Sequence, residues 1–134
     1  MKGRKRHLLV DTEGLVIRAA VLAADIQDRD GATDLCRVSQ PVCPRLELIW
    51  ADAAYRGTLV EWVKEHCGWR LEIVTRADDQ RGFAVQHWRW IVERTFGWLG
   101  RNRRLSKDYE EYAETTEAWI YAAMIRLMLC RLAP

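Results

Sequence analysis

Leu46-Glu47-Leu48-Ile49-Trp50-Ala51-Asp52, followed at once by Ala53-Ala54-Tyr55-Arg56-Gly57, is the stretch that decides the fold class. Seven mostly apolar residues ending in a carboxylate predict a buried strand that delivers Asp52 to its C-terminal edge. Thr58 and Glu61 then stand at capping-box spacing, and Leu59, Trp62 and Val63 follow at helical intervals, so a helix is expected from Thr58 to about Gly68. Downstream, Leu71 to Thr75 predicts a second short strand and Arg76 to Arg81 a charged loop. Gln86 to Gly100 predicts a helix with Trp88, Val92, Thr95 and Leu99 on one arc, and Thr115 to Leu132 an apolar closing helix. Upstream, His7-Leu8-Leu9-Val10 and Leu15-Val16-Ile17 flank Asp11-Thr12-Glu13-Gly14, a β-hairpin whose glycine stands where φ > 0 is easiest. Asp25 to Val38 is polar and becomes weakly helical from about Asp30, closing before Pro41 and Pro44. Strands alternating with helices around a mixed sheet define an α/β domain.

The chain of 134 residues is long enough for one core and short for two, so a single folding unit over 1–134 is expected. Hydrophobic residues at 49% and charged residues at 30% exclude a disordered tail. Seven Trp must find a core or a ligand surface. Cys36, Cys43, Cys67 and Cys130 show neither CxxC nor Cys/His ligand spacing, which predicts reduced thiols in a cytoplasmic protein rather than a zinc site or disulfide framework. No signal peptide opens the sequence. The longest apolar stretch, Ala118 to Leu132, carries Arg126 and Arg131 and falls short of the roughly 20 residues a membrane span needs. It is expected to be a buried helix.

The net charge of +2 is unevenly spread. Met1 to His7 holds Lys2, Arg4, Lys5 and Arg6 with no acid, and Gln86 to Lys107 holds Arg89, Arg94, Arg101, Arg103, Arg104 and Lys107 against Glu93 alone. Both windows suggest a phosphate backbone as partner. Asp52 alone is equally a turn carboxylate capping the amide of Tyr55 or Gly57. About forty residues on, Glu93 brings a second carboxylate on a helix, bordering the apolar arc with Arg89, Gly97 and Gly100; its bland alternative is an ion pair with Arg89. Glycine costs a helix roughly 1 kcal/mol relative to Ala, so Gly97 and Gly100 suggest close backbone approach. Two carboxylates ringed by cations suit metal-assisted phosphoryl transfer, although two are few for a pair of metals. Asp11 is explained by the hairpin turn, and Asp25, Asp28 and Asp30 by a loop and helix N-terminus.

Four linked motifs carry a resemblance: Lys2-Gly3-Arg4-Lys5-Arg6-His7-Leu8-Leu9-Val10-Asp11-Thr12; Ala23-Ala24-Asp25-Ile26-Gln27-Asp28-Arg29-Asp30-Gly31; Ala51-Asp52-Ala53-Ala54-Tyr55-Arg56-Gly57; and Trp90-Ile91-Val92-Glu93-Arg94-Thr95-Phe96 through Arg103-Arg104-Leu105. In this order, over nearly the whole chain, the sequence resembles DDE transposases of the insertion-sequence-five group. The resemblance implies an RNase H-like, retroviral-integrase-like mixed sheet with flanking helices, on which three carboxylates bind Mg²⁺ or Mn²⁺. Asp52 would be the second and Glu93 the third. The family's first Asp lies on a strand upstream of the Lys2–Thr12 string, so the resemblance implies that this chain lacks it, with that first strand and the DNA-binding region that precedes it. The family also carries Tyr, two residues, Arg, three residues, Glu, six residues, Lys. Arg89 and Glu93 match; Gln86 and Gly100 stand at the Tyr and Lys positions, and Arg101 lies one residue out of phase.

The expected function is DNA transposition, by hydrolysis at the element's ends and joining of the freed 3′-hydroxyl to target DNA. Asp52 and Glu93 would hold metal, Arg89 would orient Glu93 or touch phosphate, and Lys2, Arg4, Lys5, Arg6, Arg101, Arg103, Arg104 and Lys107 would hold the DNA backbone. The chain alone is expected to bind DNA weakly and cut it poorly. Two other classes stand beside this: a non-catalytic regulatory fragment that pairs with full-length transposase subunits, and a small nuclease using Asp11 as its third carboxylate. An unpaired sheet edge is expected to promote association, including homo-oligomers.

Overall fold

The computed structural model describes residues 3–74 and 83–133, with side chains for all of these except 83–89. Among these residues eight principal elements follow in the order β1 (Arg4–Val10), β2 (Val16–Ala23), α1 (Asp28–Ser39), β3 (Leu48–Asp52), α2 (Thr58–Cys67), β4 (Arg70–Val74), α3 (Phe83–Gly100) and α4 (Ala113–Leu132). Short 3-10 turns occupy Gln40–Val42, Ala53–Tyr55 and Arg103–Leu105. The protein is mixed α/β, and its contacts divide it into two compact units where length alone suggests one: residues 1–24 with 92–134, and residues 25–91. Among the described residues the strands pair as two two-stranded ladders, β1 with β2 and β3 with β4. Lys2, the loop expected over 76–81 and the side chain of Arg89 lie outside the described residues.

In the first unit β1 and β2 run antiparallel, from Arg4 opposite Ala23 to Leu9 opposite Arg18, with a bulge between Leu9 and Val10. The turn forms as its sequence requires. Asp11 Oδ1 accepts from the amides of Glu13 and Leu15, both at 2.9 Å, and Gly14 takes φ 87°. Beneath the hairpin, Ala19 and Val21 pack with Leu99, Leu105 and Ile120. The outer edge of β2 does not stay bare. The Tyr121 hydroxyl accepts from the Ala19 amide at 2.8 Å and donates to the Ala19 carbonyl at 3.3 Å, and Glu117 Oε1 accepts from the Val21 amide at 2.9 Å. Side chains of α4 thus occupy backbone hydrogen-bonding positions along this edge of β2.

α4 itself is not the buried helix that its composition suggests. It buries one stripe, Thr116, Ile120 and Met124, at four-residue spacing, while Trp119, Ile125, Met128, Leu129 and Leu132 remain exposed. A helix laid on a two-stranded hairpin has only one face to cover, so an all-round apolar helix must leave the other in solvent.

The second unit is a β-α-β element with α1 added. β3 and β4 are parallel, in register from Leu48 opposite Arg70 to Asp52 opposite Val74, with α2 as the crossover. Ala32 and Cys36 of α1, Leu59, Val63 and Cys67 of α2, and Trp69 and Leu71 form the core. β3 is half-buried rather than buried, because a two-strand ladder leaves a flank uncovered. Thr58 is already helical and makes no side-chain cap. The capping position falls to Gly57, so the expected capping box does not form. Gly68 closes α2 at φ 74°, its amide donating to the Lys64 carbonyl.

Among the described Trp residues Trp69 is fully buried; others meet cations instead of a core. The Arg94 and Arg131 guanidinium carbons each lie 4.7 Å from the centre of Trp98, Arg37 lies 5.5 Å from Trp62, and Arg104 lies 5.7 Å from Trp119. Flat, weakly hydrated guanidiniums cover indole faces that a small core has no room to hold.

Candidate active site

Asp52 is the last residue of β3, and its carboxylate is exposed at the C-terminal edge of a parallel ladder, the edge at which α/β sheets place ligands. Oδ1 accepts from the Ala54 amide at 2.9 Å, one residue short of the amides the sequence suggests. That bond caps the 3-10 turn Ala53–Tyr55 and fixes the carboxylate's orientation. The turn brings Tyr55 back beneath Asp52. Burial first, then the Asp28 and Asp52 carboxylates and Cys36, push the Tyr55 phenol up to about 12. Tyr55 therefore stays protonated between two acids. A Cβ on Gly57, at φ 111°, would stand 2.9 Å from Arg29 Nη1, so glycine at this turn lets the first turn of α1 lie close to the end of β3. Arg29 Nη2 also donates to Gln27 Oε1 at 3.2 Å.

The structure thus groups Asp52, Tyr55, Asp28 and Arg29. Sequence reasoning sets Asp28 aside as a helix N-terminal acid, which it also is, as the first residue of α1. Asp28 lies inside the Asp25–Gly31 motif, and membership of that motif is the signal that could have found it. Asp11 acts within its own turn, where Oδ1 accepts from two backbone amides.

Glu93 belongs to the other unit and is exposed on α3. The next turn of α3 is fastened to the hairpin. Arg94 Nη2 donates to the Glu13 carbonyl at 2.7 Å, and the buried Thr95 hydroxyl donates to the Gly14 carbonyl at 2.6 Å. These two anchors, which sequence reasoning misses, set the rotation of α3 that turns Thr95 and Leu99 inward and Glu93 outward. Gly97 and Gly100 lie on the exposed side, and a Cβ at either meets nothing within 4 Å. Among the described residues the close backbone approach suggested for them is absent.

The basic residues divide. Arg4 donates to an Asp108 carboxylate oxygen at 3.2 Å, to the Glu110 carbonyl at 3.0 Å and to the Glu111 carbonyl. Arg6 donates to the carbonyls of Leu105 at 2.8 Å and Lys107 at 3.3 Å. Arg104 holds Glu110 with two bonds, at 2.6 and 3.1 Å. These three fasten the segment after α3 to β1 and to itself. Arg101, Arg103 and Lys107 are exposed, and Arg101 joins Trp98 and Arg126 in lining a cleft of about 230 Å³ between α3 and α4.

As a cation site the donors are right in kind. Mg²⁺ takes hard oxygens and is commonly held through one or two carboxylates plus water and substrate phosphate; Asp52 is exposed, with one oxygen taken by the Ala54 amide. Among the described residues, no three His, Cys, Asp or Glu side chains converge on one point.

A family described as "Transposase DDE domain" matches residues 1–128. The chain belongs to the DDE transposase family. A protein of Burkholderia cepacia, "Putative transposase for insertion sequence element IS402", is 25% identical to it over 136 aligned positions, covering 96% of this chain and 61% of that protein. The chain therefore spans about three-fifths of this DDE transposase relative. No solved structure matches it. Among the described residues no helix is long and apolar enough to cross a membrane.

Proposed function

We propose that this chain is the larger part of a transposase catalytic domain with an RNase H-like arrangement, in which Asp52 and Glu93 serve as metal-binding carboxylates for cutting and joining DNA. The observation that carries the proposal is the pairing of a family match over nearly the whole chain with an exposed, turn-oriented Asp52 at the C-terminal edge of a parallel strand. A bound Mg²⁺ or Mn²⁺ would supply charge neutralisation at the phosphodiester and activation of the attacking oxygen. Asp52 presents oxygen with its orientation set by the Ala54 amide. Tyr55 keeps its proton beside Asp52 and Asp28 and can donate a hydrogen bond there without adding negative charge. Arg101, Arg103 and Lys107 neutralise backbone phosphate, and Arg89 orients Glu93 or meets phosphate. DNA is the partner, in the soluble interior of the cell.

Isothermal titration of Mn²⁺ into the chain, beside Asp52→Ala and Glu93→Ala, tests this. Binding abolished in both variants, with unchanged circular dichroism, makes the two carboxylates one site. Binding that survives Glu93→Ala removes Glu93 from the set, and no binding to any of the three chains refutes a metal site built from these residues.

A further inference from the structure

Two guanidiniums of the first unit have no task in its fold. Arg126 interrupts the apolar run Ala118–Leu132, is exposed, and its side chain makes no hydrogen bond or ion pair among the described residues. Arg101, just past the end of α3, is exposed and unengaged in the same way. Other arginines of this unit are occupied: Arg4, Arg6 and Arg104 hold carbonyls or carboxylates, and Arg94 and Arg131 lie on Trp98. Both unengaged guanidiniums line the cleft of about 230 Å³ between α3 and α4, and among the described residues no Asp or Glu lines it.

The cleft joins two chemistries. Trp98 and Leu99 of α3 and Met124 and Leu127 of α4 give it apolar walls. Leu99 and Met124 are buried in the core beneath, and Trp98 is held by the Arg94 and Arg131 guanidiniums, so these walls are fixed. Two guanidiniums on separate elements suit a phosphate, whose tetrahedral oxygens accept from both, better than a carboxylate, which one planar fork satisfies alone. Size narrows the rest. Pockets for drug-sized ligands span roughly 300–1,000 Å³, so a cleft of about 230 Å³ takes one flat ring system. A bare phosphate would leave the apolar walls uncovered, and an apolar ligand would leave the cations unanswered. A nucleotide carries both parts, a flat base that packs on side chains and a phosphate. Inside a duplex the base faces are stacked on their neighbours and out of reach, so the base that enters must be unpaired.

We infer that the cleft between α3 and α4 is a binding site for one unpaired nucleotide unit, its phosphate held by Arg101 and Arg126 and its base packed on Leu99, Met124 and Leu127. That unit has two sources, a free nucleoside monophosphate or an unpaired position in a DNA strand. The inference goes beyond the metal-binding carboxylates. It shares with the proposed function only Arg101 as a phosphate contact, and Arg126, which that reading does not use, separates the two.

Isothermal titration of thymidine 5′-monophosphate into the whole chain, beside thymidine and inorganic phosphate, tests the site. The expected result is saturable binding of the monophosphate, about tenfold tighter than either part alone and weakened about tenfold by Arg126→Ala. Tm should stay near wild type, because the Arg126 side chain is exposed and unbonded. Arg126→Lys keeps the charge without the planar fork and should restore part of the affinity. No saturable binding of the monophosphate, equal binding of inorganic phosphate, or an affinity indifferent to Arg126→Ala overturns the inference. Fluorescence anisotropy of an oligothymidylate, single-stranded and in duplex with oligoadenylate, then names the source. Single-strand binding weakened by Arg126→Ala, with duplex binding spared, places the unit in DNA; single-strand binding unchanged by Arg126→Ala makes the free monophosphate the ligand. Monophosphate binding that stands while neither form of DNA binds would remove the DNA reading and keep the cleft, and duplex binding without monophosphate binding would do the reverse.

Discussion

Gly14→Ala is the substitution that tests most directly how the hairpin holds α3. Gly14 sits at φ 87°, and a Cβ there would lie 2.8 Å from Thr95 Oγ1, 3.2 Å from Arg94 Nη2 and 3.2 Å from Trp98 Cζ3. The left-handed backbone alone costs a non-glycine residue about 1–2 kcal/mol. Thr95 must also swing away, and its buried hydroxyl loses the 2.6 Å bond to the Gly14 carbonyl; an unsatisfied buried hydroxyl costs about 1–3 kcal/mol. Relaxation of the Arg94 side chain recovers part, so about 2–4 kcal/mol is the expected loss. For a chain of this size each kcal/mol moves Tm by roughly 3–5 °C, which predicts a fall of about 10 °C in a thermal melt followed by circular dichroism. Thr95→Val should reproduce the hydrogen-bond share of the loss without the backbone share. A Gly14→Ala protein melting within a degree or two of wild type would refute both the turn conformation and the anchoring role of Thr95.

Gly97→Ala should act with the opposite sign. Among the described residues nothing lies within 4 Å of its Cβ position, so removing glycine from a helix interior should raise stability by about 0.5–1 kcal/mol, read as a higher Tm. At acid pH, Asp108 is the group to follow. Its desolvation, which alone would raise its pKa, is outweighed by the Thr116 hydroxyl, the Glu110 amide and Arg4, and its carboxyl is held below the ordinary 3.8. A lowered folded value means stability that is complete above the unfolded value and lost as pH falls through the folded one, so Asp108→Asn should lower stability near neutral pH and flatten the acid limb of a Tm-against-pH curve. Tyr55 behaves in the reverse sense. Raised from 10.0 to about 12, it contributes stability that is whole below the unfolded value and is lost as pH rises through the folded one, and Tyr55→Phe should remove that alkaline loss from a Tm-against-pH curve.

The elements were legible where local chemistry decides them. Asp11 and Gly14 specify their turn through one side-chain oxygen and one positive φ, and Pro41 with Gly68 stops two helices at the expected places. The site was legible in part: Asp52 at the end of β3 follows from an apolar run ending in a carboxylate. What pattern could not supply is what lies across from a residue. Periodicity says that Thr95 faces inward, but not that its hydroxyl meets the Gly14 carbonyl; composition says that Ala118–Leu132 is apolar, but not that one stripe suffices for the core. Asp28 beside Tyr55 is of the same kind, a long-range contact made by α1 returning to the end of β3.

The same limit applies to charge, and it changes which cations to count for DNA. A basic window promises phosphate contacts only if its guanidiniums are not already engaged. Arg4, Arg6 and Arg104 each donate to carbonyls or carboxylates within the protein, and breaking those bonds to reach phosphate would cost about what the new contact returns. Arg103 and Lys107 are exposed. For B-DNA the slope of log K against log salt changes by about 0.9 for each phosphate neutralised. Arg103→Ala and Lys107→Ala should each make the slope shallower by about that amount while leaving Tm nearly unchanged. Arg4→Ala should do the reverse, lowering Tm through loss of its bonds to Asp108 and to the Glu110 and Glu111 carbonyls and sparing the slope. If Arg4→Ala flattened the slope as Lys107→Ala does, the intramolecular bonds would be yielding to DNA, and the division between fastening and phosphate-binding arginines would be wrong.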